Sequence, residues 1–282
     1  METKPKIIVI VGPTTTGKSA LAIKLAKALN SEIVSADSRQ VYQGLNIGSG
    51  KVTKKEMSGI VHHLLDIASP KQRFTVSRFK QAGSKAITQI LQSGKIPIVV
   101  GGTGFYLDTL VNGLVLPIVK PNLELRQFLS KKTVTDLYQQ LKQLDPTRAK
   151  TIDQHNPQRL IRAIEIATTL GKVPKIKVNL NYDPLFIGLD YPDDILKQKI
   201  NKRLRERLKQ GLVAEVKKLH QQGLSWKRLE ELGLEYRSVA RYLQGKINKL
   251  ELVTELESAI WHFAKRQRTW FKRNKDINWL IS

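Results

Sequence analysis

An apolar run, a glycine-bounded loop and a helix follow one another near the start of this chain. That order dictates a strand–loop–helix unit. The run Ile7-Ile8-Val9-Ile10-Val11 is β-branched throughout, as a strand buried on both faces requires. From Ala20 onward, Leu21, Leu25, Ala28 and Leu29 recur at helical spacing. Between them stands Gly12-Pro13-Thr14-Thr15-Thr16-Gly17-Lys18-Ser19. Gly12 and Gly17 let the backbone turn tightly and bring its N–H groups close to an anion. The helix N-terminus adds partial positive charge, and Lys18 adds a full one. The Ser19 hydroxyl is suited to ligate magnesium. Residues 12–19 are therefore expected to hold a phosphorylated ligand, with Ser19 on the metal.

The rest of the chain alternates in the same way as far as Leu114. Five strands are expected: Ile7–Val11, Glu32–Ser35, His63–Ile67, Ile96–Val100 and Leu185–Leu189, with helical segments between the first four. Such alternation predicts an α/β fold, a mainly parallel sheet of the P-loop NTPase-like kind with helices on both faces. Ligands gather at the carboxyl ends of such strands. The phosphate loop, Asp37 and Gly101-Gly102-Thr103-Gly104 all fall there. Two prolines, Pro117 and Pro121, then mark a connector, and residues 123–170 are helical in pattern. Asp145-Pro146 and Asn156-Pro157 read as helix starts, with a capping side chain before a proline at the first helical position. The helix from Pro157 stops at Gly171, with Arg159 and Arg162 on one face where an anion could sit. The expected division is a core of residues 1–114 and 181–282 and a helical insertion of 115–180.

Charge narrows the partners. Of 282 residues, 48 are Lys or Arg and 24 are Asp or Glu, a formal net charge of +24. A polyanion is the expected partner, nucleic acid first. In the C-terminal third, Leu196, Ile200, Leu204 and Leu208 form an apolar stripe stopped by Gly211. Lys197, Lys199, Lys202, Arg203, Arg205, Arg207 and Lys209 form a basic outer face with only Glu206 against it. Trp261, Phe263, Trp270 and Phe271 on the last helix are expected in the core. No cysteine is present, which excludes a thiol nucleophile and a cysteine-based zinc finger. The only apolar run near the start is short and leads into the phosphate loop, so neither a signal peptide nor a membrane span is expected. A cytoplasmic monomer is the expectation.

A phosphate loop alone suggests a kinase or ATPase, which usually places a second acid after another buried strand. Here Asp37, in Ser35-Ala36-Asp37-Ser38-Arg39-Gln40, is the only clear acid at a strand end near the loop. It could serve a metal or act as a general base.

The motifs in combination go further. Residues 12–19, Ser35 to Tyr42, His62-His63-Leu64-Leu65-Asp66 and Gly101 to Tyr106 resemble the tRNA dimethylallyltransferase (tRNA isopentenyltransferase) family of the bacterial type. So do Asn156 to Glu165, Leu232 to Arg237 and Ala264 to Phe271, so the resemblance runs from first strand to last helix. It implies transfer of a dimethylallyl group from its diphosphate to the exocyclic amine of the adenine 3′ of the tRNA anticodon. By resemblance, Gly12, Pro13, Thr14, Thr15, Thr16, Gly17, Lys18 and Ser19, with magnesium, hold the diphosphate, helped by Arg266. Asp37 takes the proton, and Thr103 and Lys18 complete the catalytic set. The implied contacts to the anticodon stem-loop are Asp37, Ser38, Arg39, Gln40, Thr103, Arg126, Gln158, Arg159, Leu160, Ile161, Arg162, Leu232, Gly233, Leu234, Glu235, Tyr236 and Arg237. Two departures from the family pattern stand out. Thr15-Thr16 replaces a common Ala-Ser, and the insertion is short between Arg126 and Asp145. The rival readings are an enzyme that prenylates free adenine nucleotides, a P-loop kinase or ATPase, and a non-catalytic RNA-binding protein.

Overall fold

The computed structural model describes residues 4–281. Among them, six strands form one sheet: β1 (Lys6–Val11), β2 (Ile33–Ser35), β3 (His62–His63), β4 (Ile98–Val100), β5 (Asp183–Asp190) and β6 (Asn278–Ile281). The order is β3-β2-β4-β1-β5-β6, and every neighbouring pair is parallel. β1 lies inside the sheet, with Ile10 opposite both Val100 of β4 and Ile187 of β5.

Period-two alternation along β1 divides the core. Ile7, Val9 and Val11 face one side, where Phe79, Ile87 and Ile90 of the Val76–Gln92 helix join them. Ile10, with Ile33 and Ile98, faces the other side and meets the Lys18–Ala28 helix. That helix buries Ala22, Ile23 and Ala26. The expected Leu21–Leu25–Leu29 stripe is only partly covered, and Leu29 is 42% exposed. The small side chains face the strands because they let the helix axis come close to the sheet.

Three strand expectations change. Ile96–Val100 shortens to Ile98–Val100, because Pro97 has no N–H to give a ladder; its carbonyl still accepts from Ile8 N (2.9 Å). His63–Ile67 becomes His62–His63. Leu64 (φ 65°) and Asp66 (φ 55°) are left-handed, which no strand accommodates. β6 was not expected. Its four residues follow the long last helix and join β5 only through chain folding.

The contacts divide the chain into two compact units, of which one is Leu114–Asn179. This unit contains four helices, with starts at both expected Asx-Pro pairs: Leu123–Leu129, Val134–Leu144, Pro146–Ala149 and Pro157–Leu170. Asp145 Oδ1 caps the third helix by accepting from Arg148 N (2.9 Å), and Asn156 caps the fourth from Arg159 N (3.1 Å). Their apolar faces meet around Leu129, Leu137, Leu141, Leu160 and Ile164.

The other unit holds the sheet and five C-terminal helices: Asp193–Lys209, Leu212–Gln221, Trp226–Leu232, Leu234–Leu243 and Lys249–Phe271. These build a second core from Leu196, Ile200, Leu204, Val216, Tyr236, Leu256 and Ile260, packed on Val41 and Leu45. Among the described residues no helix is long and apolar enough to cross a membrane.

Candidate active site

The carboxyl ends of β1, β2 and β4 open into one cavity of about 1070 Å³. The phosphate loop forms one wall. Gly12 has φ 138°, and a Cβ there would stand 2.1 Å from Leu189 O, so the loop leaves β1 by a path only glycine can take. Thr15 (φ 67°) and Gly17 (φ 87°) are also left-handed. Turns of this handedness bend successive N–H groups toward one point, as in anion nests. Thr16 Oγ1 donates to Pro13 O (2.9 Å), and Lys18 Nζ donates to the same carbonyl. Burial pushes the Lys18 ammonium down to about 7, with Arg203 adding to the shift and Asp37 opposing it. Ser19 is exposed at the cavity lining.

The second wall is the β2 turn. Asp37 Oδ1 accepts from Arg39 N (2.7 Å) and Gln40 N (3.3 Å), which fixes the carboxylate by its own backbone. Oδ2 has no hydrogen-bond partner among the described residues, and the side chain lines the cavity. Thr103, which ends the β4 loop, accepts from Ser38 N through Oγ1 (3.1 Å). Gly101 allows this approach, since a Cβ there would stand 2.1 Å from Ala36 O. Asp37, Ser38 and Thr103 are thus brought together at adjacent strand ends, beside Lys18.

The third wall comes from the C-terminal helices, where part of the expected basic outer face turns inward. Arg203 and Arg207 turn inward to line the cavity. Arg207 continues the stripe of Leu196, Ile200 and Leu204, is 8% exposed and bonds Glu235 Oε1 (2.7 Å). Burial raises the Glu235 pKa above the usual carboxylate range, and the Arg207 charge only partly offsets this. Burial and the neighbouring Arg207 lower Arg203 to about 10. Arg203 donates only a long bond to Gly50 O (3.4 Å). Two desolvated cations, Lys18 and Arg203, therefore face the same space, with Asp37 acting on both and Glu235 and Glu56 acting on Arg203. Arg266 lines the cavity from the last helix.

Arg203, Arg207 and Gln267 are among the lining residues that the sequence did not assign to the site. Arg207 was legible as the next member of an i, i+3/i+4 apolar stripe. Gln267 gave no signal, because its partners lie far away in the chain.

Several positions expected at the RNA are core. Leu160 is fully buried and Ile161 is 6% exposed, both in the insertion's own core. Leu232 (2%) and Tyr236 (1%) belong to the second core. Leu232 and Tyr236 nevertheless belong to the cavity wall. Tyr236 O–H donates to Glu215 (3.0 Å) and accepts from Ser49 N (3.1 Å). Glu235 is held by Arg207. Arg126 and Arg162 also differ from the expected anion-binding face. Both bond Glu165, a carboxylate only 1% exposed, with Arg126 Nη2 at 2.7 Å. Gln158 and Arg159 are exposed, with Arg159 3.6 Å from Asp153. Arg39 Nε donates to Leu232 O (2.5 Å) and ties the β2 turn to residues 232–237. Gln40 Nε2 donates to Ser49 O and Gly50 O (both 3.4 Å). Gly233 and Leu234 line the cavity, as does Arg237. Of the four aromatic residues expected in the core, only Phe271 is buried. Trp270 donates to Asp108 (3.1 Å), and Trp261 lies under Lys197 and Lys265.

Comparison with known proteins agrees with this geometry. The IPP transferase family model matches residues 40–274. The chain is 44% identical to tRNA dimethylallyltransferase 2 of Treponema denticola, over 99% of this chain and 96% of the relative. Its structure is similar to the full-length tRNA isopentenylpyrophosphate transferase of Bacillus halodurans, with TM-score 0.75 and 35% identity over 99% of this chain and 90% of that one. A eukaryotic dimethylallyltransferase acting on tRNA gives TM-score 0.85 at 29% identity, over 98% of this chain and 74% of that one.

Proposed function

This chain belongs to the IPP transferase family, and on that premise we propose that it is a tRNA dimethylallyltransferase whose cavity joins a diphosphate donor to an anticodon-loop adenine. The observation that carries the reading is the shared cavity of the phosphate loop and the Asp37 carboxylate.

The donor is dimethylallyl diphosphate. The loop N–H groups of Thr15 to Ser19, with Lys18 and Arg203, receive its phosphates, because burial strips water from both cations and the nearby carboxylates only partly offset this. Thr14 N is excluded from this set, since it already donates to Gln267. In the reaction the allylic C–O bond breaks and its electron pair leaves with the diphosphate. Stabilisation by fixed donors matters most there, because negative charge builds on the departing oxygens. The amine nitrogen forms the new N–C bond and must lose one proton. Asp37 Oδ2 takes it, held in place by the two amides on Oδ1. Thr103 fixes the Ser38 turn and hence the position of that carboxylate.

Magnesium fits this site as a metal carried largely by the substrate. It prefers oxygen ligands, and it is bound through few protein groups plus phosphate oxygens. The exposed Ser19 hydroxyl supplies one such ligand. Among the described residues no cluster of three His, Cys, Asp or Glu offers a separate metal cage. When bound, the ion neutralises diphosphate charge.

The acceptor is the tRNA anticodon stem-loop, whose unpaired bases leave their stack at low cost. The exposed Gln158 and Arg159 of the insertion and Arg237 serve the RNA. Arg126 and Arg162 support the insertion's own fold through Glu165.

The test is mass analysis of an anticodon stem-loop RNA after incubation with dimethylallyl diphosphate and magnesium. The expected result is one added dimethylallyl group per RNA. Asp37→Ala should lower turnover by about 100-fold or more, with RNA affinity within about threefold. Equal transfer to free AMP, or ATP turnover without RNA labelling, would overturn the reading.

A further inference from the structure

We infer that Gln267 is a positioning residue that sets the distance between the donor diphosphate and the base-bearing turn; this rests on the prenyl-transfer reading above. Gln267 lies on the Lys249–Phe271 helix between two charged residues, yet its side chain is only 6% exposed. Its amide sits between two loops that carry different parts of the chemistry. Oε1 accepts from Thr14 N (2.8 Å), in the phosphate loop. Nε2 donates to Gly102 O (2.9 Å), in the β4 loop. One face must accept and the other must donate, so only one orientation of the amide satisfies both.

The place of this bridge explains what it does. β1 and β4 pair in parallel up to Ile10 and Val100, and Gly101 N adds a last main-chain rung to Ile10 O (3.2 Å). Beyond that rung the two loops part, one to the phosphates and one to Thr103. The Gln267 amide is the next rung, supplied by a side chain from a residue 253 positions away from Thr14. Gly102 makes room for it: a Cβ there would stand 2.2 Å from Nε2. From Gly102 the connection continues through Thr103 Oγ1 to Ser38 N (3.1 Å), next to Asp37. A hydrogen-bonded path therefore runs from the donor loop to the base. Both polar atoms of Gln267 are engaged by the loops, so its effect passes through them. A reacting geometry off by about 1 Å costs about 100-fold in rate, even when binding is kept.

The test uses the full-length protein with Gln267→Met, which keeps size and removes both bonds, and Gln267→Glu, which keeps the acceptor and places an oxygen against Gly102 O. Each is measured for thermal midpoint, affinity for inorganic pyrophosphate with magnesium, and kcat on the stem-loop RNA. For Q267M the expected result is pyrophosphate affinity within about threefold of wild type and kcat lower by about 30-fold or more. For Q267E, kcat relative to wild type should rise about tenfold from about pH 8 to about pH 6, as its carboxyl gains the proton that restores the donor. A purely structural role would give no such pH-dependent ratio. Any of three results overturns the inference: kcat within about threefold of wild type, a kcat loss matched by an equal loss of pyrophosphate affinity, or a flat Q267E ratio. Failure of both variants to fold would overturn it in favour of a structural role. Absence of transfer by the wild-type protein would instead refute the parent reading, which separates the two failures.

Discussion

Lys18 should make donor binding fade as pH rises through neutrality, and the size of the effect follows from its surroundings. Burial first, and Arg203 second, lower its pKa from 10.5 to about 7 in the free protein. A bound diphosphate places negative charge beside the ammonium and returns the pKa toward its ordinary value. Above about pH 7 the free protein must therefore take up a proton to bind well. The charged fraction of a group with pKa about 7 falls about eightfold from about pH 7.5 to about pH 8.5. Affinity for an unreactive alkyl diphosphate should fall by the same factor at fixed magnesium. Phosphate oxygens ionise near pH 6 and are constant over this range. Titration calorimetry in two buffers of different ionisation enthalpy would count the proton: close to one per ligand at about pH 8.5. Lys18→Met should bind more weakly and lose the pH slope. Folding stability of the free protein responds in the opposite direction. Between about 7 and 10.5 the unfolded chain holds more protons at this site, so burying Lys18 costs most at low pH and less as pH rises. K18M should then raise the stability of the free protein by about 1–3 kcal/mol near neutrality, an advantage that shrinks toward alkaline pH. An affinity that stays level across this range, with no proton taken up, would refute the argument.

Three further outcomes follow from the packing. Gly101→Ala should abolish transfer and depress the melting temperature, because its Cβ would meet the Ala36 carbonyl at 2.1 Å; a melting curve like wild type would contradict this. Glu165→Gln should destabilise the full-length protein by about 3 kcal/mol in denaturant titration, since it leaves Arg126 and Arg162 without their buried anion. Burial alone would raise the Glu165 pKa, but the bonds from Arg126, the Asn122 amide and Arg162 bring it below the usual range. Its stabilisation is thus present above about pH 4.5 and lost as pH falls through the lower folded value, a step that E165Q should lack. Tyr236→Phe should cost about 1–2 kcal/mol, because Ser49 N and Glu215 lose the hydroxyl between them; an unchanged unfolding midpoint would show that water replaces it.

Local chemistry made much of this protein readable in its sequence. Gly12 to Ser19 between a β-branched strand and a helix dictated the phosphate loop, because backbone turn and charge are both written within those residues. The caps at Asp145 and Asn156 were legible for the same reason: donor and acceptor are three residues apart. β3 was overestimated because apolar pattern does not reveal that Leu64 and Asp66 adopt left-handed backbone. The burial of Leu160 and Tyr236 was not legible, since a motif records residue types and not which way each one points.

Sequence alone determined the alternating architecture, the loop, the acid at the end of β2 and the basic excess, because each depends on residue type and short-range spacing. Tertiary structure decided which charges face the cavity. Arg203 and Arg207 turn in from a helix that reads as a basic outer face, while Arg126 and Arg162 are held by Glu165. It also decided the bridge at Gln267, whose two partners lie 253 and 165 residues away. Hydrogen bonds and desolvation act over a few ångströms of space, so groups far apart in the chain acquire their chemistry only when folding brings them together.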